Sequence, residues 1–427
     1  MKVRNTSLLG TLALALVLPF ALPLTSSAQD VKLLGVVEVP GNPIISSDIT
    51  WFDRGTEKAY ITDRSNFGVD IIDGENNFFL GRVGGMVGPA PGAADGTSQH
   101  NGPGPNGVVV TGDKVLWAGD GNSLTTVADV DPSSPTYLQI LGQINTSNPE
   151  CDNGMEGGHW CGRDDEIAWD PKDRIIMIAT NGPSDVNDPH GPVAPYVTLI
   201  SGDAPYSILG PQILFPGTTG IEQPLWAPDF RGGRFLLTVP GSLANHIPPT
   251  IAIIDPANGG FVDETINLDC QELLGTTSQS ITGIALGQDQ HILVSACGAG
   301  AVPSAPIILN ADTLDVYAVV TQVGGGDEVW YNPGDNRFYV TGMDLTGTTG
   351  LQSLGVIDGA TSTWLQNVTD VRGKNPTAFA ESNHVFTLVQ INAAIVADPS
   401  TDDSVCTQFG IRGTGCIAVF GPDDVEP

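Results

Sequence analysis

Along most of this chain, short apolar runs rich in Val, Ile, Thr and aromatic residues alternate with clusters of Gly, Pro, Asp and Asn. Runs this short, bounded by turn formers, predict antiparallel strands. They recur in a fixed order. A polar residue heads a first strand, a second strand opens with Lys, Arg or His in every unit, and a third ends in Ile-Ile-Asp or a variant of it. The stretch Asp164-Asp165-Glu166-Ile167-Ala168-Trp169-Asp170-Pro171 returns almost intact as Gly326-Asp327-Glu328-Val329-Trp330-Tyr331-Asn332-Pro333.

The heading residues are Asp48, Asn106, Glu166, Gln223, Ser280, Glu328 and Asn375. Their spacing, from 47 residues (328 to 375) to 60 (106 to 166), is that of blade-sized repeats. One such unit cannot bury its own sheet faces, but units stacked around an axis share a continuous core. Six units carry a fourth, outer strand, and the seventh stops short of one. Residues 32–39 (Lys-Leu-Leu-Gly-Val-Val-Glu-Val) supply it from the other end of the chain. The expected fold class is therefore all-β: a seven-bladed β-propeller, with blades starting near 48, 106, 166, 223, 280, 328 and 375. An N-terminal outer strand completes the last blade, so that no edge is left open.

Ahead of that strand, Met1-Lys2-Val3-Arg4 leads into an apolar run over 8–24 and then Ser26-Ser27-Ala28. This reads as a secretory signal peptide over 1–28, followed by a single propeller domain over 29–427. A retained anchor is the competing reading, weakened by Pro19 and Pro23 and by the shortness of the run; no later segment is long enough to span a bilayer. A secreted or periplasmic protein suits the six cysteines, which fall into three local pairs: Cys151 with Cys161, Cys270 with Cys297, and Cys406 with Cys416. Asn145 and Asn367 stand in glycosylation acceptor sequences. The net charge of −31, from 48 acidic and 17 basic residues, argues against nucleic acid and anionic membranes as partners. A small-molecule substrate or an extracellular ligand, met by a monomer, is the expectation that remains.

Loops over 84–105, 145–164, 181–195 and 241–249 are long and lack strand pattern. In a propeller they emerge on one face, around the mouth where the first strands begin, and scaffold loops of this kind carry function. All seven heading residues offer an oxygen ligand and none is basic, with Asp165, Glu222 and Asp327 behind them. Converging oxygens of this kind suit a hard divalent cation, Ca²⁺ above all. The metal candidates are Asp48, Asn106, Glu166, Glu328 and Asn375. The plainer reading is that these residues bond the backbone of the entering turns, in a channel mouth wet with water. His100, His159, His190 and His246 lie in the long loops. With Glu166, the catalytic candidates are His100, His159 and His246, which could act as general base and acid if they meet over the ring. His291 and His384 open second strands, where packing or surface roles are expected. Trp51, Trp117, Trp160, Trp169 and Trp226 could wall a pocket, but most fall in strands, where core between blades is the simpler assignment. No nucleophile elbow, phosphate loop or His-Glu-x-x-His motif is present.

Units such as Arg337-Phe338-Tyr339-Val340-Thr341 followed by Leu354-Gly355-Val356-Ile357-Asp358, and Lys58-Ala59-Tyr60-Ile61-Thr62 followed by Val69-Asp70-Ile71-Ile72-Asp73, resemble those of exported seven-bladed propellers of the YVTN/NHL/lactonase-like class. The resemblance spans residues 31–420. It implies an exported metal-assisted hydrolase acting on a small organic substrate at the channel mouth, with Glu166, Asn106 and Glu328 holding the metal. The class also includes proteins that only bind partners, which gives the alternative: a non-catalytic extracellular binding propeller.

Overall fold

A computed structural model describes residues 30–86, 104–121, 123–148, 162–181, 194–278, 280–288, 291–297, 304–347, 351–369, 371 and 373–422. The recurring runs form seven four-stranded antiparallel sheets. Each is one blade of a seven-bladed β-propeller, and each innermost strand contacts the innermost strands of the two neighbouring blades. The innermost strands are Ser47–Asp53, Val108–Val110, Arg163–Asp170, Pro224–Ala227, Ile281–Leu286, Val329–Asn332 and Gly373–Phe379.

Period-2 alternation explains where the core sits, because successive side chains of a strand point to opposite faces of its blade. In the second strand of blade 1, Lys58–Asp63, buried Ala59 and Ile61 pack towards Phe386 and Val419 of blade 7. Tyr60, between them, packs towards Val108 and Leu116 of blade 2. Apolar clusters of the same kind fill the remaining junctions, such as Leu236 and Ile251 of blade 4 against Ile284 and Ile307 of blade 5. The hydrophobic core is thus a ring of interfaces between sheets.

Closure follows the expected route. Val31–Val37 pairs antiparallel with Cys416–Pro422, with Val31 opposite Pro422 and Val37 opposite Ile417, and becomes the outer strand of blade 7. Blade 3 has the shortest outer strand, since in the run over 206–214 only Ile213–Leu214 forms ladder. Gly210, at φ 70°, and Pro211, which has no N–H to donate, interrupt the run, and a single bridge from Ile200 to Ile208 is all that precedes them. Cys270 is bonded to Cys297 and Cys406 to Cys416; the expected pair Cys151 and Cys161 lies outside the described residues. No helix among the described residues is long and apolar enough to cross a membrane.

Candidate functional site

Four innermost strands lose register at their heads, between Ser47 and Thr50, Asp164 and Ile167, Ile281 and Ile284, and Lys374 and Pro376. A bulge releases residues from the pleat and re-aims their side chains. In blade 7 the released residue is Asn375, at φ 47°, a left-handed conformation that asparagine tolerates better than most residues. Residues at the head ends of the strands then bond across every junction of the ring. Ile49 N–H donates to Asn106 O (3.3 Å), and Asn106 Nδ2 to Asp164 O (3.2 Å). Ile221 N–H donates to Asn181 Oδ1 (2.8 Å), Ile284 N–H to Gln223 Oε1 (2.7 Å), and Thr282 Oγ1 to Gly326 O (2.7 Å). Glu328 N–H donates to Asn375 Oδ1 (3.1 Å), and Asn375 Nδ2 to Asp48 O (3.3 Å). Among the described residues Ser280 contributes backbone alone, its carbonyl accepting from Cys297 N–H. Asn375→Ala is accordingly expected to cost about 1–3 kcal/mol, since it removes two junction bonds and strains a left-handed position. Asn375→Gly, which relieves the backbone but not the lost bonds, should be milder in chemical denaturation.

Inside this belt lies a network of charges. Asp48 Oδ2 accepts from Arg64 Nη2, and Asp48 Oδ1 from Lys374 Nζ (2.6 Å). Arg64 is almost fully buried, on a single 3₁₀ turn that Asp63 caps, and it also donates through Nε to Asn106 Oδ1 (2.9 Å). Gly104 (φ 140°) lets that side chain pass, because a Cβ there would stand 2.8 Å from Arg64 Cγ. Lys374 Nζ lies 2.9 Å from Asp327 Oδ2, and Arg163 grips Asp165 with two bonds of 2.8 Å. Against the burial that disfavours its charge, Asp48 is held well below the usual carboxylate range by Arg64 and Lys374. Arg163 is likewise kept charged, despite burial, by Asp165 and Asp48.

Glu166 and Glu328 are the buried remainder. The two carboxyls are close enough to raise each other's proton affinity, and Glu166 Oε2 is buried with no hydrogen-bond partner among the described residues. Burial first, and then Glu328 and Asp165 beside it, push the Glu166 carboxyl well above its ordinary range. Burial and Asp327 do the same to Glu328. Glu222, half-buried by surface area, is raised by the desolvation around it and by Asp165 and Asp327.

Of the oxygens nominated for a divalent cation, those of Asp48 are taken by Arg64 and Lys374, that of Asn106 by Arg64, and that of Asn375 by the Glu328 amide. Glu166 and Glu328 alone fall short of the six to eight oxygens Ca²⁺ prefers. Among the described residues no group of three or more His, Cys, Asp or Glu is arranged to hold a metal. His246 is exposed at the tip of the hairpin over 241–249, at φ 57°, and none of its described contacts reaches the ring. His100 and His159 lie outside the described residues, as does His190. His291 and His384 pack between blades: His291 Nδ1 lies 3.1 Å from Gly359 O, with its ring stacked on Tyr317, and His384 Nδ1 lies 3.1 Å from Asn77 Oδ1.

Arg64, Arg163 and Lys374 were not anticipated as ring residues. Two of them stood close to a head in the chain, three positions before Glu166 and one before Asn375. The tryptophans divide. Trp117 is fully buried between blades 2 and 3, as expected, whereas Trp51, Trp169 and Trp226 join Trp330 and Tyr331 around a cavity of about 350 Å³ on the axis. Trp160 is outside the described residues.

No family model and no curated protein matches the chain. Solved structures do. The chain is similar to the β-propeller domain of Cps50 (Swd1) from Myceliophteria thermophila, at 9% identity and TM-score 0.57, covering 92% of this chain and 99% of that one. It is similar to the WD40 domain of Pan2 from Neurospora crassa, at 10% and 0.54, covering 93% and 97%. A chain of a mitotic checkpoint complex matches at 12% and 0.53, covering 88% and 96%. At such identities the likeness is one of fold.

Proposed function

We propose that this protein is a non-catalytic binding propeller, exported to the periplasm or the cell exterior, which presents its long loops to an extracellular partner. One observation carries the reading: the polar ring is occupied by its own arginines and lysine. Asp48, Asn106 and Asp165 spend their oxygens on Arg64, Lys374 and Arg163, so the ring acts as a hub that holds seven blades in register. A protein of similar fold stands in a mitotic checkpoint complex, which illustrates the fold serving within an assembly. The signal-like segment over 1–28 and the two disulfides are consistent with export.

A second reading, the metal-assisted hydrolase, is favoured by the crowding of Glu166 and Glu328 and by the unpartnered Glu166 Oε2. There a divalent cation such as Ca²⁺ would offset the crowded carboxylates and supply Lewis acidity to a substrate carbonyl. Elemental analysis of the mature protein, before and after chelation and with thermal unfolding in parallel, separates the two. The binding reading expects no stoichiometric metal and an unchanged Tm after chelation. One tightly held calcium ion, lost together with stability in both Glu166→Gln and Glu328→Gln, would reverse the order of the readings.

A further inference from the structure

We propose that the axial cavity is a binding site for an organic cation with an aromatic or alkyl body. The cavity runs along the innermost strands from Gln223, at a head, to Pro171, which is exposed five positions past Glu166. Its volume, about 350 Å³, is near the lower end of small-molecule sites and suits a ligand the size of one substituted ring. Four indoles and the Tyr331 phenol supply much of the wall, with Leu286 among the aliphatic remainder.

The chemistry of that wall selects the ligand. Trp51 and Trp330 meet edge to face at 5.4 Å. The Nε1 atoms of Trp51 and Trp226 are shielded from solvent and have no hydrogen-bond partner among the described residues. Those two rings therefore present carbon to the cavity, and a wall of aromatic carbon attracts a cation to its electron-rich faces while excluding water. The inner end lies beside the acidic ring. Glu166 and Glu328, which do not line the cavity themselves, immediately precede the lining residues Ile167 and Val329. The groups around this carboxyl pair are Asp48, Asp165, Glu222 and Asp327, opposed by Arg64, Arg163 and Lys374. Carboxylates outnumber cations there, and a net charge of −31 surrounds the whole. An anionic ligand is repelled, and a neutral one gains only apolar contact. A cation gains both the indole faces and the field of these carboxylates.

The site is lined by the innermost strands and residues next to them rather than by the long loops, so its failure would leave the loop-face reading standing. The test is a titration of the full mature protein with benzyltrimethylammonium and, separately, with benzyl alcohol, followed by tryptophan fluorescence. The cation should saturate and bind about tenfold tighter than the alcohol under the same conditions. Trp330→Leu should weaken the cation by about tenfold. Equal binding of the alcohol would make this an apolar site indifferent to charge and overturn the proposal. No saturation by the cation, or cation binding that Trp330→Leu leaves unchanged, would overturn it as well; the comparison of the two probes uses the unmodified protein and stands even if the variant fails to fold.

Discussion

Replacing Arg64 with leucine is expected to lower the unfolding free energy by about 3–5 kcal/mol, the range for removing one member of a buried ion pair. The guanidinium is almost fully buried and bonds Asp48 and Asn106, which belong to different blades. Leucine would fill part of the space and leave two acceptors without their donor in a site that water reaches poorly. Lysine in the same place would keep the charge but not the fork that serves both acceptors, so Arg64→Lys should recover only part of the loss. Because Asp48 and Arg64 act as one unit, Arg64→Leu combined with Asp48→Asn should cost less than the sum of the single changes. Urea denaturation of the four proteins measures this. A loss below about 1 kcal/mol for Arg64→Leu would mean that Lys374 alone holds Asp48 in place.

The second large effect concerns pH. Glu166 and Glu328 hold their protons more tightly in the folded protein than in the unfolded chain. The folded state therefore binds more protons above the unfolded glutamate range, and the stability these groups contribute is full below that range and lost as pH rises through their folded values. Asp48 works the other way, and its contribution disappears only in strong acid. Unfolding midpoints should fall as pH is raised from about 5 into the alkaline range, by up to about 1.4 kcal/mol per pH unit for each group still titrating. The Glu166→Gln, Glu328→Gln double variant should remove part of that slope, the raised Glu222 keeping a share of it, and be more stable than the unmodified protein at about pH 8, because neutral amides remove the repulsion between the two carboxylates. If the variant is instead less stable at that pH, the glutamates are compensated by something other than a proton, and a bound cation becomes the leading candidate.

Much of the architecture could be read before any coordinates, and the reason is local. Each strand is short, apolar and fenced by turn formers, and the Leu-Gly pair at 34–35 matches outer strands elsewhere in the chain, which made closure by the N-terminal strand a matter of pairing open edges. The outer strand of blade 3 falls short of its apolar run over 206–214 because Gly210 and Pro211, with their backbone limits, stand among the Ile and Leu residues. The ring was only partly legible. The heads were found because they are polar and periodic, but what each side chain bonds depends on which blades face one another across the axis. Arg64 enters from the end of a second strand, a position that no reading of the heads would include. The aromatic cavity did leave a trace. Trp51, Trp169 and Trp226 each stand three residues after a head, a repeated interval that singles them out from Trp117.

The pairing of Val31–Val37 with Cys416–Pro422 also sets a timetable for biosynthesis. Six blades are complete in sequence once residue 369 has been made, yet the strand that seals the circle is synthesised before all of them and its partner after them. Until residues 416–422 are made, the nascent chain carries an unmatched apolar segment ahead of the blades and an open sheet behind them, and loop-closure entropy sets a modest cost for bringing them together. Ring closure therefore waits for the last blade, at a rate that depends on topology more than on local preference. Until it happens, an identical segment from a second nascent chain can compete for the same edge, so crowding of nascent chains favours misassembled pairs.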